Sequence, residues 1–458
     1  MLKELNIREF IDGRKLSKLQ FMLITIGLIS ALLDGLDVVI IGFIAPALKA
    51  DWGLTNNDLA PIMSAALAGL AFGAIALGPL SDKIGRKKIL CLCLFGFGVF
   101  TLLTAMSSTI TEIVIWRFFT GIFMGGILPQ IVTLVTDYCP LRMNGRLVTS
   151  IIAAYTVGCA LGGFLAAWII PDFGWRMLLA IVGIMPIIVA LIAIKLVPES
   201  IGYMVAKKFP EEKIKTIAAK IDSTIDLSKI RFIVKNDNDK QLKNPVKFIL
   251  SKKYRFETIG LWWCYGVGVY VVYLLSSWLP ILISSNGFTP AQASIISAFF
   301  QLGGPIGCIL TGYLMDKIDH HFGMIIAYLC STCALLAAGL LEPNYLTYAI
   351  VCMFMGMWAH GTNAGLNSLS SSTYPVEARA TGNSFMHGIA RIGAVLSIFA
   401  GAIMLNAGFS PQGIFLSLII PVLSVIVLVS LMKIRKKRRL AESSVTDLKS
   451  TDISVSMN

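Results

Sequence analysis

The sequence of residues 21–46 is FMLITIGLISALLDGLDVVIIGFIAP, an apolar run that contains two carboxylates, Asp34 and Asp37. As a helix rising 1.5 Å per residue, this run is long enough to cross a bilayer. A charge near the bilayer centre costs several kcal/mol, so intramembrane carboxylates usually face a cavity or the protein interior. A spacing of three residues puts both on one face of the helix. The run therefore predicts a membrane-spanning helix with a pair of inward-facing acids.

The rest of the chain has the composition of a membrane protein. Of its 458 residues, 56% are hydrophobic and only 14% are charged, against roughly 25% charged in soluble domains. Twelve apolar stretches are long enough to span a bilayer: 21–46, 59–80, 89–107, 111–136, 146–168, 175–197, 256–283, 291–315, 322–341, 345–370, 381–405 and 410–433. The sequence predicts an all-α integral membrane protein with 12 transmembrane helices.

The distribution of positive charge predicts the orientation. The net charge is +13, and 35 of the 39 lysines and arginines lie in segments that share one side of the membrane if both termini are cytoplasmic. This asymmetry is the positive-inside rule, and it disfavours a nucleic-acid role for the basic tail. No cleavable signal peptide is evident. We expect a cytoplasmic N-terminus at 1–20, a six-helix half at 21–197, a cytoplasmic central segment at 198–255, a second six-helix half at 256–433 and a cytoplasmic tail at 434–458.

The two halves repeat each other. The sequence Gly78-Pro-Leu-Ser-Asp82-Lys83 follows the second span, and Gly312-Tyr-Leu-Met-Asp316-Lys317 follows the eighth. Parallel six-helix repeats with a binding site between them are a common transporter plan. Within the central segment, an amphipathic pattern also predicts a short helix near Glu211–Ile221 on the membrane surface.

These motifs resemble those of the major facilitator superfamily. The residues that carry the resemblance are Gly78-x-Leu80-x-Asp82-x-x-Gly85-Arg86-Lys87, Arg117-x-x-x-Gly121-x-x-x-Gly125 and Pro198-Glu199-Ser200. Within the superfamily the chain resembles the aromatic acid–proton symporters, through Asp34-Gly-Leu-Asp37, Gly42-Phe-Ile-Ala-Pro46, Gln301-Leu-Gly-Gly304, Arg379-Ala-Thr-Gly382 and Arg391-Ile-Gly393. The resemblance implies a two-half, multi-pass monomer in the bacterial inner membrane.

Asp34 and Asp37 are the candidate proton-coupling residues. Two like charges one helical turn apart in a low dielectric resist simultaneous ionisation, so the pair is expected to hold a proton readily. The alternative is a structural ion pair with an intramembrane arginine. Arg117 lies at a depth similar to that of Asp37, and Arg391 is the other intramembrane cation. One arginine is expected to hold a substrate carboxylate; we favour Arg117 for coupling and Arg391 as the anchor.

A substrate pocket needs apolar walls and a few polar contacts. Span seven is rich in aromatic residues, of which Tyr270 and Tyr273 lie nearest mid-membrane, although some of these aromatics are expected to form an interfacial belt. On span ten, His360, Asn363 and Asn367 share one helical face. They either contact a ring hydroxyl or join neighbouring helices. His387 lies one turn from Arg391 and is a further candidate.

The loops after spans two and four predict a gate on the cytoplasmic side. A carboxylate there can cap a helix and pair with an arginine, closing the inner side while the outer side is open. Part of this basic cluster is explained equally well by topology alone. The candidate gating residues are Asp82, Arg86, Lys87, Asp137 and Arg142, with Asp316 and Arg379 as their counterparts in the second half.

The sequence favours a proton-coupled symporter that imports an aromatic carboxylate of the benzoate or hydroxybenzoate type. Its partners are then that acid, protons and the lipid bilayer. The alternatives are a transporter of an aliphatic mono- or dicarboxylate such as a muconate-like acid, a drug–proton antiporter, and a non-transporting receptor of the same fold. With no nucleotide-binding loop, zinc-ligand spacing or nucleophile elbow in the sequence, we expect no enzymatic activity, cofactor or metal.

Overall fold

The computed structural model describes residues 3–14, 16–207, 209–222, 230–233 and 244–455, and side chains up to Arg438. Parts of the predicted central segment and the end of the tail lie outside these residues. The first half contains β1 (Lys3–Asn6), α1 (Ile7–Asp12), α2 (Lys18–Trp52), α3 (Asn56–Ile84), α4 (Arg86–Met106), α5 (Ile110–Tyr138) and α6 (Leu141–Leu196).

The central segment and the second half are also mainly helical. The central elements are α7 (Ile201–Ala206), α8 (Glu211–Ile221), β2 (Ile230–Ile233) and α9 (Pro245–Ile249). The second half contains α10 (Arg255–Ser285), α11 (Pro290–Lys317), α12 (His320–Leu340), α13 (Tyr345–Thr373), α14 (Val376–Asn406), α15 (Pro411–Ser417) and α16 (Ile419–Val455). Helix α8 forms where the amphipathic pattern predicts it.

The prediction of an all-α membrane protein with twelve spans is confirmed. Ten helices of the described chain are long and apolar enough to cross a membrane. One of them, α6, contains two spans, because Gly174 breaks the helix with φ 77° and ψ 169°; positive φ is a conformation that glycine adopts without steric penalty. Helix α13 has 29 residues, and it completes the twelve.

Glycine lets equivalent helix pairs pack closely in both halves. In the first half, a Cβ added to Gly73 would overlap the carbonyl of Ile122, joining α3 to α5. In the second half, a Cβ on Gly307 would overlap the carbonyl of Met357, joining α11 to α13 in the same way. Small residues at such crossings let helix backbones approach within a membrane, where no hydrophobic force drives helices together. The internal repeat is therefore also a repeat of packing.

The two halves meet at one end of the bundle. We call the end where α2 begins at Lys18 the basic end, and the end where α2 stops at Trp52 the opposite end. At the opposite end, the Asn56 side chain donates to the Asn406 side chain at 3.1 Å, and Asn406 donates to Asn57 at 2.6 Å. Contacts across the two halves therefore close this end.

The basic end is open between the halves. Both α3 and α11 pack against the other half, and both are mostly buried in their portions toward the opposite end. Their portions toward the basic end, 72–84 in α3 and 305–317 in α11, are mostly exposed. This change of burial within single helices indicates a cleft that opens at the basic end.

A small cap covers the first half at its basic end, and the sequence did not predict it. Strand β1 pairs in parallel with β2, with Lys3 opposite Ile230. Phe10 packs edge-on against Phe232 with ring centroids 5.2 Å apart. The Arg14 Nε lies 2.5 Å from an Asp222 carboxylate oxygen. The N-terminal segment is thus folded onto the central segment.

The crossing of α3 and α5 generates a prediction about stability. Gly73→Ala should force the two helices apart, because the new methyl overlaps backbone that cannot rotate away; overpacking of this kind costs about 1–3 kcal/mol. Gly145→Ala is the control, since a Cβ there meets no atom within 4 Å. Thermal unfolding of the purified variants in detergent measures the difference. Equal melting temperatures for the two variants would contradict the packing.

Candidate functional site

A fully buried ion pair lies in the middle of the first half. Arg117 on α5 donates to both carboxylate oxygens of Asp37 on α2, at 2.8 and 3.1 Å, and to the Asp37 carbonyl at 3.3 Å. Both side chains are 0% exposed. Thr101 on α4 donates to the same carboxylate at 3.3 Å. Asp37 is therefore a compensated charge, held by side chains from two other helices, α4 and α5.

Asp34 is buried without such compensation. It is 2% exposed, and its Oδ1 atom has no hydrogen-bond partner. Within the described part of the chain, no cation lies within ion-pair distance of its carboxylate. Its position is fixed because Gly35 packs directly on the backbone of Tyr155 in α6. A buried carboxylate is costly when ionised and unpaired, so the site favours a bound proton or an incoming cation.

Arg391 faces this carboxylate from the other half. Its guanidinium, on α14, interacts electrostatically with Asp34 and with Tyr155. The side chain is partly buried, and among the described residues it has no ion-pair or hydrogen-bond partner. An arginine left in this condition can bind a carboxylate through two parallel hydrogen bonds. Asp34 of the first half and Arg391 of the second half therefore face each other with binding capacity unused.

Two series of polar side-chain contacts lie in the second half. In the first, His360 Nε2 lies 3.1 Å from Gln301 Oε1, and the Gln301 amide donates to Ser276 at 3.0 Å. In the second, the Tyr265 hydroxyl lies 3.0 Å from His387 Nδ1. The other ring nitrogen of His387 lies 2.8 Å from Asn367 Oδ1. His360 and Asn367 of α13 are thus joined to neighbouring helices.

The remaining pocket candidates fall in different places. Tyr273 interacts electrostatically with both Tyr155 and Tyr265, which puts it in the central cluster. Asn363 donates to the Ala359 carbonyl at 3.3 Å, and its buried Oδ1 has no hydrogen-bond partner. Tyr270 instead lines a groove on the outer face of α10 and α14. The structure therefore separates Tyr270 from the other candidates.

Three residues that the sequence analysis did not assign also belong to the central cluster. Tyr155, Tyr265 and Gln301 contact or interact electrostatically with its charged and polar groups. Tyr155 carries no signal in the sequence, because a lone tyrosine on an apolar helix is ordinary. Gln301 stands out as an amide within an apolar span, and that is the signal by which it could have been found.

At the basic end, some of the residues predicted to form a gate contact residues that precede and follow α6 in the chain. Arg86 pairs with Asp137, and the Ser200 hydroxyl donates to the same carboxylate at 2.6 Å. Glu199 accepts from the backbone amides of Arg86 and Lys87 at 2.9 and 3.0 Å, capping α4. Acidic side chains stabilise helix N-termini in this way. In the sequence, Pro198-Glu199-Ser200 is recognisable only as a family signature.

The other gating candidates are not joined to this network. Asp82 is exposed, and the cap that a carboxylate was expected to supply comes from Glu199. Arg142 donates to the Arg14 carbonyl at 3.2 Å, toward the N-terminal cap. Asp316 and Arg379, their counterparts in the second half, are exposed. Their part in a gate stays a prediction.

Comparison with known proteins identifies the family. The family model for the Major Facilitator Superfamily matches residues 27–371. The 4-hydroxybenzoate transporter PcaK of Pseudomonas aeruginosa is 36% identical, over 92% of this chain and 94% of its own length. The gallate transporter of Pseudomonas putida is 34% identical over 91% and 92%. The benzoate transport protein of Acinetobacter baylyi is 30% identical over 95% and 94%.

A solved structure agrees at the level of the fold. The crystal structure of a bacterial homologue of the human lysosomal transporter Spinster, inward-facing and unoccupied, matches with a TM-score of 0.66 at 17% identity. The match covers 90% of this chain and 95% of the chain of the Spinster homologue. The chain belongs to the major facilitator superfamily and, within it, to the aromatic acid:proton symporter family. It is a multi-pass transporter of the bacterial inner membrane and not an enzyme.

The different surroundings of the two carboxylates generate a prediction about stability. Asp37→Asn should lower stability by about 3–5 kcal/mol, because it leaves the Arg117 charge buried and uncompensated. Asp34→Asn should cost much less, since it removes a charge that has no partner. Thermal unfolding in detergent compares the two variants. Asp37→Asn combined with Arg117→Gln should recover part of the loss. A loss for Asp34→Asn as large as that for Asp37→Asn would contradict the assignment.

Proposed function

We propose that this protein is a proton-coupled symporter that imports a small aromatic carboxylate by alternating access. The substrate class is suggested by the relatives, whose names assign them 4-hydroxybenzoate, gallate and benzoate. The coupling is suggested by the site itself. Of all the observations, the isolation of Asp34 carries the most weight.

Asp34 is the group that we assign to proton binding. Its carboxylate is buried, and its Oδ1 has no hydrogen-bond partner, whereas Asp37 already has Arg117. A carboxylate in that condition gains from protonation, because the neutral form avoids the cost of a buried unpaired charge. The two acids therefore have different roles in the proposal: Asp34 exchanges the proton, and the Asp37–Arg117 pair holds α2 in position.

Arg391 is the group that we assign to the substrate carboxylate. It faces Asp34 across the cleft and keeps its donors unused. Tyr155 and Tyr273 lie beside it and offer apolar ring faces with hydroxyl groups. The His387–Asn367 and His360–Gln301 contacts of the second half provide further polar atoms, those of His387 one helical turn from Arg391 on α14. A benzoate-like acid is matched by one cation, aromatic walls and a few polar contacts.

Coupling follows from the position of Arg391 relative to Asp34. When the cleft is empty, the guanidinium interacts electrostatically with the Asp34 carboxylate and favours its ionised form. When a substrate carboxylate takes over the guanidinium, Asp34 loses that electrostatic support and binds a proton more readily. Substrate and proton then favour each other's binding, as linkage requires. Both leave together toward the basic end.

Alternating access needs a second arrangement of the same halves. The closed end here is held by Asn406 with Asn56 and Asn57, side chains that water can also satisfy. The open end carries charged side chains, among them exposed Asp82 and Asp316. We infer that these carboxylates pair with basic side chains of the other half, such as the exposed Arg379 for Asp82, when the cleft opens at the opposite end.

Uptake into proteoliposomes tests the function. We expect labelled 4-hydroxybenzoate or benzoate to accumulate only with an inward proton gradient, and a protonophore to abolish the accumulation. Asp34→Asn should lose gradient-driven accumulation but keep exchange of substrate across the membrane, because binding by Arg391 survives. Asp172→Asn is the control, since this carboxylate is exposed near the opposite end of the bundle.

Accumulation by Asp34→Asn at the wild-type level would overturn the coupling assignment. Uptake of neither acid by folded wild-type protein would instead favour an aliphatic acid or export as the activity.

A conservative change at Arg391 tests the substrate anchor. Arg391→Lys keeps the charge but loses the planar fork that holds a carboxylate by two bonds. The loss of one charge-assisted hydrogen bond, about 1.5–3 kcal/mol, should raise the half-saturation concentration at least about tenfold. Arg176→Lys, which contacts the Ser107 carbonyl near the opposite end, is the control. Half-saturation unchanged by Arg391→Lys would assign the anchor to another residue.

A further inference from the structure

A deep groove runs along the outer face of the second half, away from the central cleft. Its walls are formed by α10, α14 and α16. It consists of two segments, of about 610 and 710 Å³, which share Ile259 and Trp263 and are therefore continuous. The central cluster around Asp34 does not line it. This groove has no part in the transport site proposed above.

The end of the groove nearest the basic end is positively charged. Arg255 and Arg435 line it there. Arg255 is exposed. Arg435 lies over the ring of Phe256 at 4.7 Å and has its Nε 3.7 Å from a Glu257 carboxylate oxygen. The entrance thus presents two guanidinium groups, of which one is partly neutralised.

The rest of the groove is apolar. Trp263 is 55% exposed and is held in place by a 3.0 Å hydrogen bond from its indole nitrogen to Ser424. Beyond it, Gly266 forms part of the floor, and a Cβ at this position would meet no atom within 4 Å. The absence of a side chain at Gly266 leaves the groove open. Tyr270 and Leu396 line the deeper segment.

The length of the groove matches one lipid leaflet. From Arg255 to Tyr270 there are 15 residues of α10, which is about 22 Å at 1.5 Å per residue. Half of a bilayer, headgroups included, is also about 20–22 Å thick. A cationic entrance at headgroup depth followed by an apolar channel of leaflet depth has the dimensions and polarity of a single phospholipid.

We propose that this groove binds one anionic phospholipid from the leaflet at the basic end. Its phosphate lies between Arg255 and Arg435, and one acyl chain lies over Gly266 against Trp263 and Tyr270. The positive-inside rule assigns the basic end to the cytoplasm, where basic pockets between helices bind anionic headgroups. A zwitterionic lipid fills the same apolar channel but carries a cation that the two guanidinium groups repel.

Native mass spectrometry of the full-length protein in detergent tests the proposal. The probes are dioleoyl phosphatidylglycerol and dioleoyl phosphatidylcholine, which have the same chains and differ in headgroup charge. The wild-type protein should retain one molecule of phosphatidylglycerol in preference to phosphatidylcholine. Arg255→Gln should weaken that retention about fivefold, the effect of about 1 kcal/mol per basic residue near an anionic lipid. Lys252→Gln removes an exposed charge nearby that does not line the groove, and it should retain the lipid as the wild type does.

A second variant tests the channel apart from the charge. Gly266→Leu should block the acyl chain from a position where the Cβ meets no protein atom within 4 Å, so retention of both lipids should fall while the melting temperature stays within the range of the control. Gly312→Leu is that control, because its Cβ also meets no atom and it lies on α11 outside the groove. Equal loss in Arg255→Gln and Lys252→Gln, or wild-type retention in Gly266→Leu, would overturn the proposal.

Discussion

A carboxylate buried in a bilayer needs either a cation or a proton, and the structure of the first half depends on that constraint. Asp37 has the cation: Arg117 crosses from α5 to meet it, and Thr101 adds a contact from α4. Asp34, one turn away on the same helix, has no such partner. The stable pair fixes α2 in the bundle, and this rigidity keeps Asp34 facing Arg391 of the other half.

The close helix crossings also hold the helices of each half in fixed positions. Gly73 and Gly307 let the backbones of paired helices approach closely, which adds to the packing of the large buried apolar clusters of the bundle. In the proposed alternating access, each half moves as a unit, and the contacts that change lie between the halves. At the closed end those contacts are neutral amides such as Asn406 with Asn56, which exchange readily for water.

Much of this was predictable because membrane solvation acts on sequence directly. The twelve spans follow from run length, and the similar depths of Arg117 and Asp37 predict that they can pair. The cap formed by β1 and β2 was not predictable, since its strands have four residues each and are more than 200 residues apart. Glu199 was missed as the cap of α4 because it lies 113 residues from Arg86, and no local pattern joins them.

By itself, the sequence determined what the bilayer demands: which segments are helices inside it, which carry charge there, and that the chain repeats itself once. Only the tertiary structure decided how those charges are shared. In the folded bundle, Arg117 pairs with Asp37, whereas Asp34 and Arg391 face each other without an ion pair. Tyr270 lies on the outer face of the second half. The physical reason is that the free-energy cost of burying a charge depends on the residue type and its depth in the membrane, and both can be read from the sequence. Which charges pair depends on how the helices rotate and pack, and only the folded bundle fixes that.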